Sequence, residues 1–198
     1  MNKEKKFDIK KMAGVAVFIA IVVVLQIIGS FIKFGAFSIS LVLVPIAVGA
    51  ALYGQAAGAV LGGAFGIVVL VSCINGTDPG GNMLFAANPA FTSVLCLLKG
   101  MFAGYAAGFV YKIVSKRNDY LGVVCAAFIC PIVNTGIFII SMIFIYREIL
   151  LAWAGDSDFL YYAFISVAGV NFLLELSVNV IFSPAIVRIV RAVKKPAV

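Results

Sequence analysis

The chain has 198 residues, 64% of them hydrophobic and 12% charged, and its mean hydropathy of +1.16 lies far from that of a soluble globular domain. That composition excludes a water-soluble enzyme, and the length leaves room for a compact membrane bundle with short loops but no appended catalytic domain. The formal net charge of +7 gathers at a few places between apolar stretches, so it reads as a topology signal and not as a nucleic-acid-binding patch.

Six apolar stretches are predicted, in chain order, as membrane-crossing helices. The first, about 12–32, follows a basic head with Lys3, Lys5, Lys6, Lys10 and Lys11; its apolar core is too long for a signal peptide and no small-x-small cleavage site follows, so it is read as a retained span. The second (39–53, with Pro45) and third (55–74) are separated by Gly54 alone, which requires a very tight turn. A polar, glycine-rich loop is expected over 75–88, with Asp78-Pro79-Gly80-Gly81-Asn82 as its turn signal. The fourth span (89–114) ends in the basic turn of Lys112, Lys116 and Arg117. The fifth (121–146) contains Pro131, which predicts a kink or break. A more acidic connection with Glu148, Asp156 and Asp158 leads to the sixth (161–186), which closes with Arg188, Arg191, Lys194 and Lys195.

An even number of spans puts the head, the Lys112–Arg117 turn and the tail on one side, which basic residues mark as cytoplasmic. The expected fold is therefore an all-α membrane protein: a bundle of six transmembrane helices with cytoplasmic N- and C-termini. It forms a single membrane domain over 1–198, with a basic head (1–11) and a basic tail (187–198).

Helices in lipid associate through close backbone approach, which needs small residues repeating on one face. Gly54, Gly58, Gly62 and Gly66 recur at four-residue spacing in the third span, and Gly100, Gly104 and Gly108 do so in the fourth, so both faces are predicted to pack against protein. A shorter small-residue face, Ala13, Ala16 and Ala20, lies on the first span, where packing inside the bundle is the simplest role.

A charge near mid-bilayer costs at least about 2.5 kcal/mol on insertion scales, so it persists where a partner, cavity or ligand compensates it. Lys99 and Glu175 both fall near mid-depth in their spans. Asn171 lies one turn before Glu175 on the same face, and Asn134 sits at comparable depth just after Pro131. Two arrangements suit this set. Lys99 and Glu175 pair as a buried salt bridge that fixes helix register, with the asparagines as interhelical glue. Alternatively, the four side chains hold a small polar ligand from outside, Lys99 facing an anionic part and Glu175, Asn134 and Asn171 reading hydroxyls or amides. Asn179, one turn deeper, suits helix glue. The 75–88 loop, with Met83 and Phe85, is a candidate lid, and Asn88 and Phe91 beside it complete the candidate binding set.

No catalytic residue and no metal ligand set is expected. The chain lacks histidine, a Gly-x-Ser-x-Gly elbow, paired intramembrane aspartates and a Gly-x-x-x-x-Gly-Lys-Ser/Thr phosphate loop. Cys73, Cys96, Cys125 and Cys130 are without metal-ligand spacing and read as small buried side chains.

Across its whole length the chain resembles the substrate-binding S-components of energy-coupling factor (ECF) vitamin transporters of bacteria and archaea. The resemblance rests on an alanine-bearing first span after a basic head, the segment Leu41 to Gly49, and Tyr53-Gly54 leading into the Gly58 to Gly66 ladder. Asn88-Pro89-Ala90-Phe91 and Leu98-Lys99-Gly100 through Gly108 continue it. It implies binding of a vitamin or related micronutrient from outside, with inward release driven by a separate module of two ATPases and a membrane coupling subunit. ATP is then used by the partner subunits and no cofactor belongs to this chain. The resemblance further implies that the coupling subunit docks on Ala16 and Ala20, with Ala13 on the same face, and that the chain resides as a multi-pass protein in a bacterial or archaeal cytoplasmic membrane. The mid-depth Lys99 tilts the ligand toward a carboxylate such as pantothenate. Two other readings stand beside this one: a non-transporting membrane scaffold of the cell-shape-determining type, and a stand-alone secondary transporter with Glu175 as its ion or proton carrier.

Overall fold

Long runs of apolar residues satisfy their backbone groups within helices, and the computed structural model of this chain is built accordingly. It describes residues 9–34, 37–38, 40–155, 158, 161–167 and 169–194, so Lys3, Lys5, Lys6, Asp156 and Lys195 lie outside the described residues. Among the described residues, four helices are long and apolar enough to cross a membrane: α1 (Ile9–Ser30), α3 (Gln55–Ile74), α5 (Pro89–Val114) and α6 (Asp119–Phe144). Two other apolar helical segments are shorter, α2 (Leu43–Tyr53) and the Phe172–Phe182 part of α8 (Gly169–Lys194). At about 1.5 Å per residue, α2 reaches roughly half the hydrocarbon thickness.

The predicted 75–88 loop is largely a helix, α4 (Pro79–Ala87). Asp78 is its N-cap, accepting the Gly81 N–H at 2.9 Å, and Pro79 occupies the first turn, where a missing N–H costs nothing. Asn82 Nδ2 donates to the Cys73 carbonyl at 2.8 Å and fastens α4 to the end of α3. A second short helix, α7 (Arg147–Ala154), occupies the acidic connection, and a π-helical turn (Tyr162–Val167) precedes α8 where one uniform span was expected. No break occurs at Pro131: α6 runs through it, and the proline is buried among its neighbours. Two two-residue strands, β1 (Lys33–Phe34) and β2 (Phe37–Ser38), pair antiparallel after α1.

Packing fixes the directions of the helices. Gly54, at φ 93°, ends α2 and begins α3, and Gly58 lies against Ala50 while Gly49 lies against Leu61, so the two helices form an antiparallel hairpin. The glycine ladders of α3 and α5 interlock antiparallel: Gly58 meets the Gly104 carbonyl, Gly62 meets Gly100, and Gly66 meets Cys96 and Leu97. Gly54 itself stands outside the ladder as the turn residue, and Gly108 packs on the Gln55 backbone instead. With Gly14 on Tyr53 and Gly122 on Ser115, one end of the bundle gathers the start of α1, the α2–α3 turn and the α5–α6 turn. Lys11, Lys112, Lys116 and Arg117 belong to that end, and Asp78, Glu148 and Asp158 to the other. The main core joins α1, α2, α3, α5, α6 and the last turns of α8 around Leu43, Ile46, Leu61 and Phe65. A second cluster, Leu84, Leu95, Met142, Tyr146 and Leu150, packs α4 and α7 onto the acidic end.

Candidate functional site

Lys99 sits on α5 one residue from the Gly62–Gly100 contact, so the closest approach of two backbones sets its position. Its side chain is half-buried, and Nζ lies 5.3 Å from the ring centroid of Phe138 and 5.9 Å from that of Phe65. Two aromatic faces thus compensate part of its charge. It lines a cavity of about 30 Å³ with Asp78 and Gly81 from the base of α4, Thr92 and Cys96 from α5, and Phe138 from α6. That is room for about one water molecule.

A hydrogen-bond node closes this cavity toward the acidic end. Thr92 Oγ1 lies 2.6 Å from Tyr146 Oη, 2.8 Å from the Asn88 carbonyl and 2.9 Å from the Leu84 carbonyl. One side chain therefore ties the end of α4, the start of α5 and the α6–α7 junction. Phe91 packs on Tyr146 with centroids 5.8 Å apart, beside the node. Asn88 is exposed, and its Oδ1 accepts the Phe91 N–H at 3.1 Å as the cap of α5, a structural role that directs its side chain away from the cavity lining.

Glu175 and two buried asparagines, Asn134 and Asn179, lie outside the lining of this cavity. Glu175 is 5% exposed and feels the charge of Lys99, yet the two make no ion pair among the described residues, and Glu175 Oε2 has no hydrogen-bond partner there. The salt bridge that the sequence allowed is not formed, because the Lys99 ammonium is held over the two rings. Ser40 and Thr135 face the Glu175 carboxylate from the segment before α2 and from α6. Asn134 is 4% exposed with Oδ1 unpartnered. Asn179 Nδ2 donates back to the Glu175 carbonyl at 2.8 Å, the intrahelical glue expected of it, while its Oδ1 is unpartnered. Asn171 belongs to α8, but its side chain lies outside the described residues.

Sequence reading missed Asp78, Thr92, Tyr146, Phe138, Ser40 and Thr135. Asp78 followed by proline is a helix-start signal as well as a turn signal, and here it starts a helix. The others are common types of residue in apolar helices and carry no local signal. Of the docking candidates, Ala13, Ala16 and Ala20 are all exposed on α1, within a surface that also presents Met12, Val17 and Val24. Bundle packing, the simplest role for that face, is not what occupies it within this chain.

A wider hollow of about 360 Å³ opens at the opposite end, between the α2–α3 turn and the end of α5 near Lys112. It contains neither Lys99 nor Glu175.

Comparison with known proteins fits this arrangement. Residues 10–187 match the family described as ECF transporter, substrate-specific component. A curated relative, the pantothenic acid transporter PanT of Lactococcus lactis subsp. cremoris, is 29% identical over 94% of this chain and 95% of its own length. The family match sets aside the scaffold reading. This multi-pass helical chain, matched by the family model over residues 10–187, belongs to the substrate-specific components of ECF transporters.

Proposed function

We propose that this chain binds pantothenate, or a closely similar carboxylate vitamin, at Lys99 from outside a bacterial or archaeal cytoplasmic membrane, as the substrate subunit of an ATP-driven importer. The observation that carries the reading is a half-buried lysine, not neutralised by direct pairing with Glu175, in a chain similar end to end to a pantothenic acid transporter. The ligand carboxylate replaces water at Lys99 Nζ as a charge-assisted partner. Glu175, Asn134 and Asn171 accept from its hydroxyl and amide groups, and Phe91 and Asn88 border the entrance.

Sites that bury a small organic molecule measure about 300–1,000 Å³, so a cavity of about 30 Å³ describes a closed form. Entry requires α4 to move, with Gly76 at φ 73° and the α4–α5 junction at Asn88 as its two ends.

Six crossings fit this reading: the four long helices, α8, and α2, which reaches about halfway and requires the chain before it to complete the crossing. Basic residues cluster at the end holding the α5–α6 turn, which supports cytoplasmic termini and an outward-facing Lys99 cavity. The exposed Ala13, Ala16 and Ala20 face docks on a membrane coupling subunit, two ATPase subunits hydrolyse the ATP, and no cofactor resides in this chain.

The test is to purify the protein from pantothenate-free medium and titrate vitamins by thermal shift and calorimetry. Pantothenate should bind and stabilise; a chain that binds no vitamin, or binds a cationic one in its place, overturns the proposal.

A further inference from the structure

We infer that an anionic ligand binds together with one monovalent cation, a proton or a sodium ion, taken up at the Glu175 carboxylate. This rests on the carboxylate-ligand reading above and adds a second ligand to the same site.

The inference follows from charge. Without ligand, the Lys99 ammonium already faces two buried carboxylates: Glu175, coupled to it through space without a direct ion pair, and Asp78, which lines the Lys99 cavity and accepts the Gly81 N–H as the cap of α4. A ligand carboxylate on Lys99 uses that positive charge and adds a third anion against one cation. An uncompensated charge in the interior of a membrane protein is disfavoured by several kcal/mol. The groups that act on Glu175 are Lys99 from α5 and Cys130 from α6, with the hydroxyls of Ser40 and Thr135 and the Ser40 backbone N–H; among these Lys99 is the cation.

The site is built to receive positive charge. Glu175 Oε2 is buried and unpartnered; the Ser40 hydroxyl and N–H and the Thr135 hydroxyl donate to the carboxylate, and the two hydroxyl oxygens keep lone pairs that a cation could use. One turn along α8, the Oδ1 of Asn179 is a second buried acceptor without a hydrogen-bond partner. A proton on Oε2 converts an orphan acceptor into a donor. A sodium ion instead takes carboxylate and hydroxyl oxygens as ligands. Both supply the same single charge.

Calorimetry of pantothenate binding to the full chain in lipid nanodiscs distinguishes the sources. Titrations in buffers of different ionisation enthalpy count protons, and the expected slope is about one proton taken up per ligand. Replacing sodium by choline at constant ionic strength reads the alternative, expected as about a tenfold loss of affinity per tenfold fall in sodium. Either result supports the inference when Glu175→Gln, which carries the neutral form permanently, binds with neither dependence. Glu175→Asp, which keeps the carboxylate, should retain it. Pantothenate binding to the native chain with no proton uptake and no sodium dependence overturns the inference and leaves the ligand assignment standing; so does a dependence that persists in Glu175→Gln. Should Glu175→Gln fail to fold, the two native titrations still decide whether a cation accompanies the ligand, and Glu175→Asp then tests where it sits. If pantothenate does not bind at all, the ligand assignment fails and the inference falls with it.

Discussion

Gly62 and Gly100 face each other across the α3–α5 interface, each set against the other's carbonyl, so closely that a Cβ on either would strike backbone. The contact lies one residue from Lys99. The approach of two helices through small residues thus also fixes the height and direction of the buried cation.

Gly62→Val or Gly100→Val must force α3 and α5 apart, since a backbone carbonyl has nowhere to yield. A destabilisation of about 3 kcal/mol is expected, at the upper end of the overpacking range. The midpoint of thermal unfolding in detergent, followed by size-exclusion chromatography, measures it. Gly136→Ala, which meets nothing within 4 Å, is the matched control and should leave the midpoint nearly unchanged.

Lys99→Met should remove a charge-assisted contact worth about 1.5–3 kcal/mol, a loss of roughly 10–100-fold in pantothenate affinity. The neutral alcohol analogue of pantothenate separates charge from shape. It should bind the native chain more weakly than pantothenate does, and native and Lys99→Met chains should bind it with similar affinity. Equal loss for both compounds would assign Lys99 to packing.

Tyr146→Phe deletes the hydroxyl 2.6 Å from Thr92 Oγ1 and with it one arm of the node that holds α4 over the cavity. About 1 kcal/mol of the closed form should be lost. In stopped-flow measurements this appears as faster ligand release with a smaller change in association. A rate unchanged within error would show that α4 is held by its apolar contacts through Leu84 alone.

Ala16→Trp combined with Ala20→Trp should abolish uptake in cells while preserving ligand binding by the purified chain. Both positions are exposed on α1, so the bulky rings need displace nothing inside this bundle. Surviving uptake would make that face a lipid-facing surface.

The sequence by itself determined the apolar helices, the turn at Gly54, two glycine faces that pack against protein and a cation near the middle of α5. These are properties of local composition and of a 3.6-residue period, and neighbouring helices do not alter them. Tertiary structure decided the rest. The 75–88 segment became a helix because Asp78 caps it and Asn82 and Gly81 hold it on α3 beside Cys73. Whether Lys99 paired with Glu175 depended on which face of α5 the glycines turned toward α3 and on two rings, Phe65 and Phe138, contributed by other helices. Hydropathy gives the depth of a residue but not the rotation of its helix about the axis, and rotation is what selects a side chain's partner.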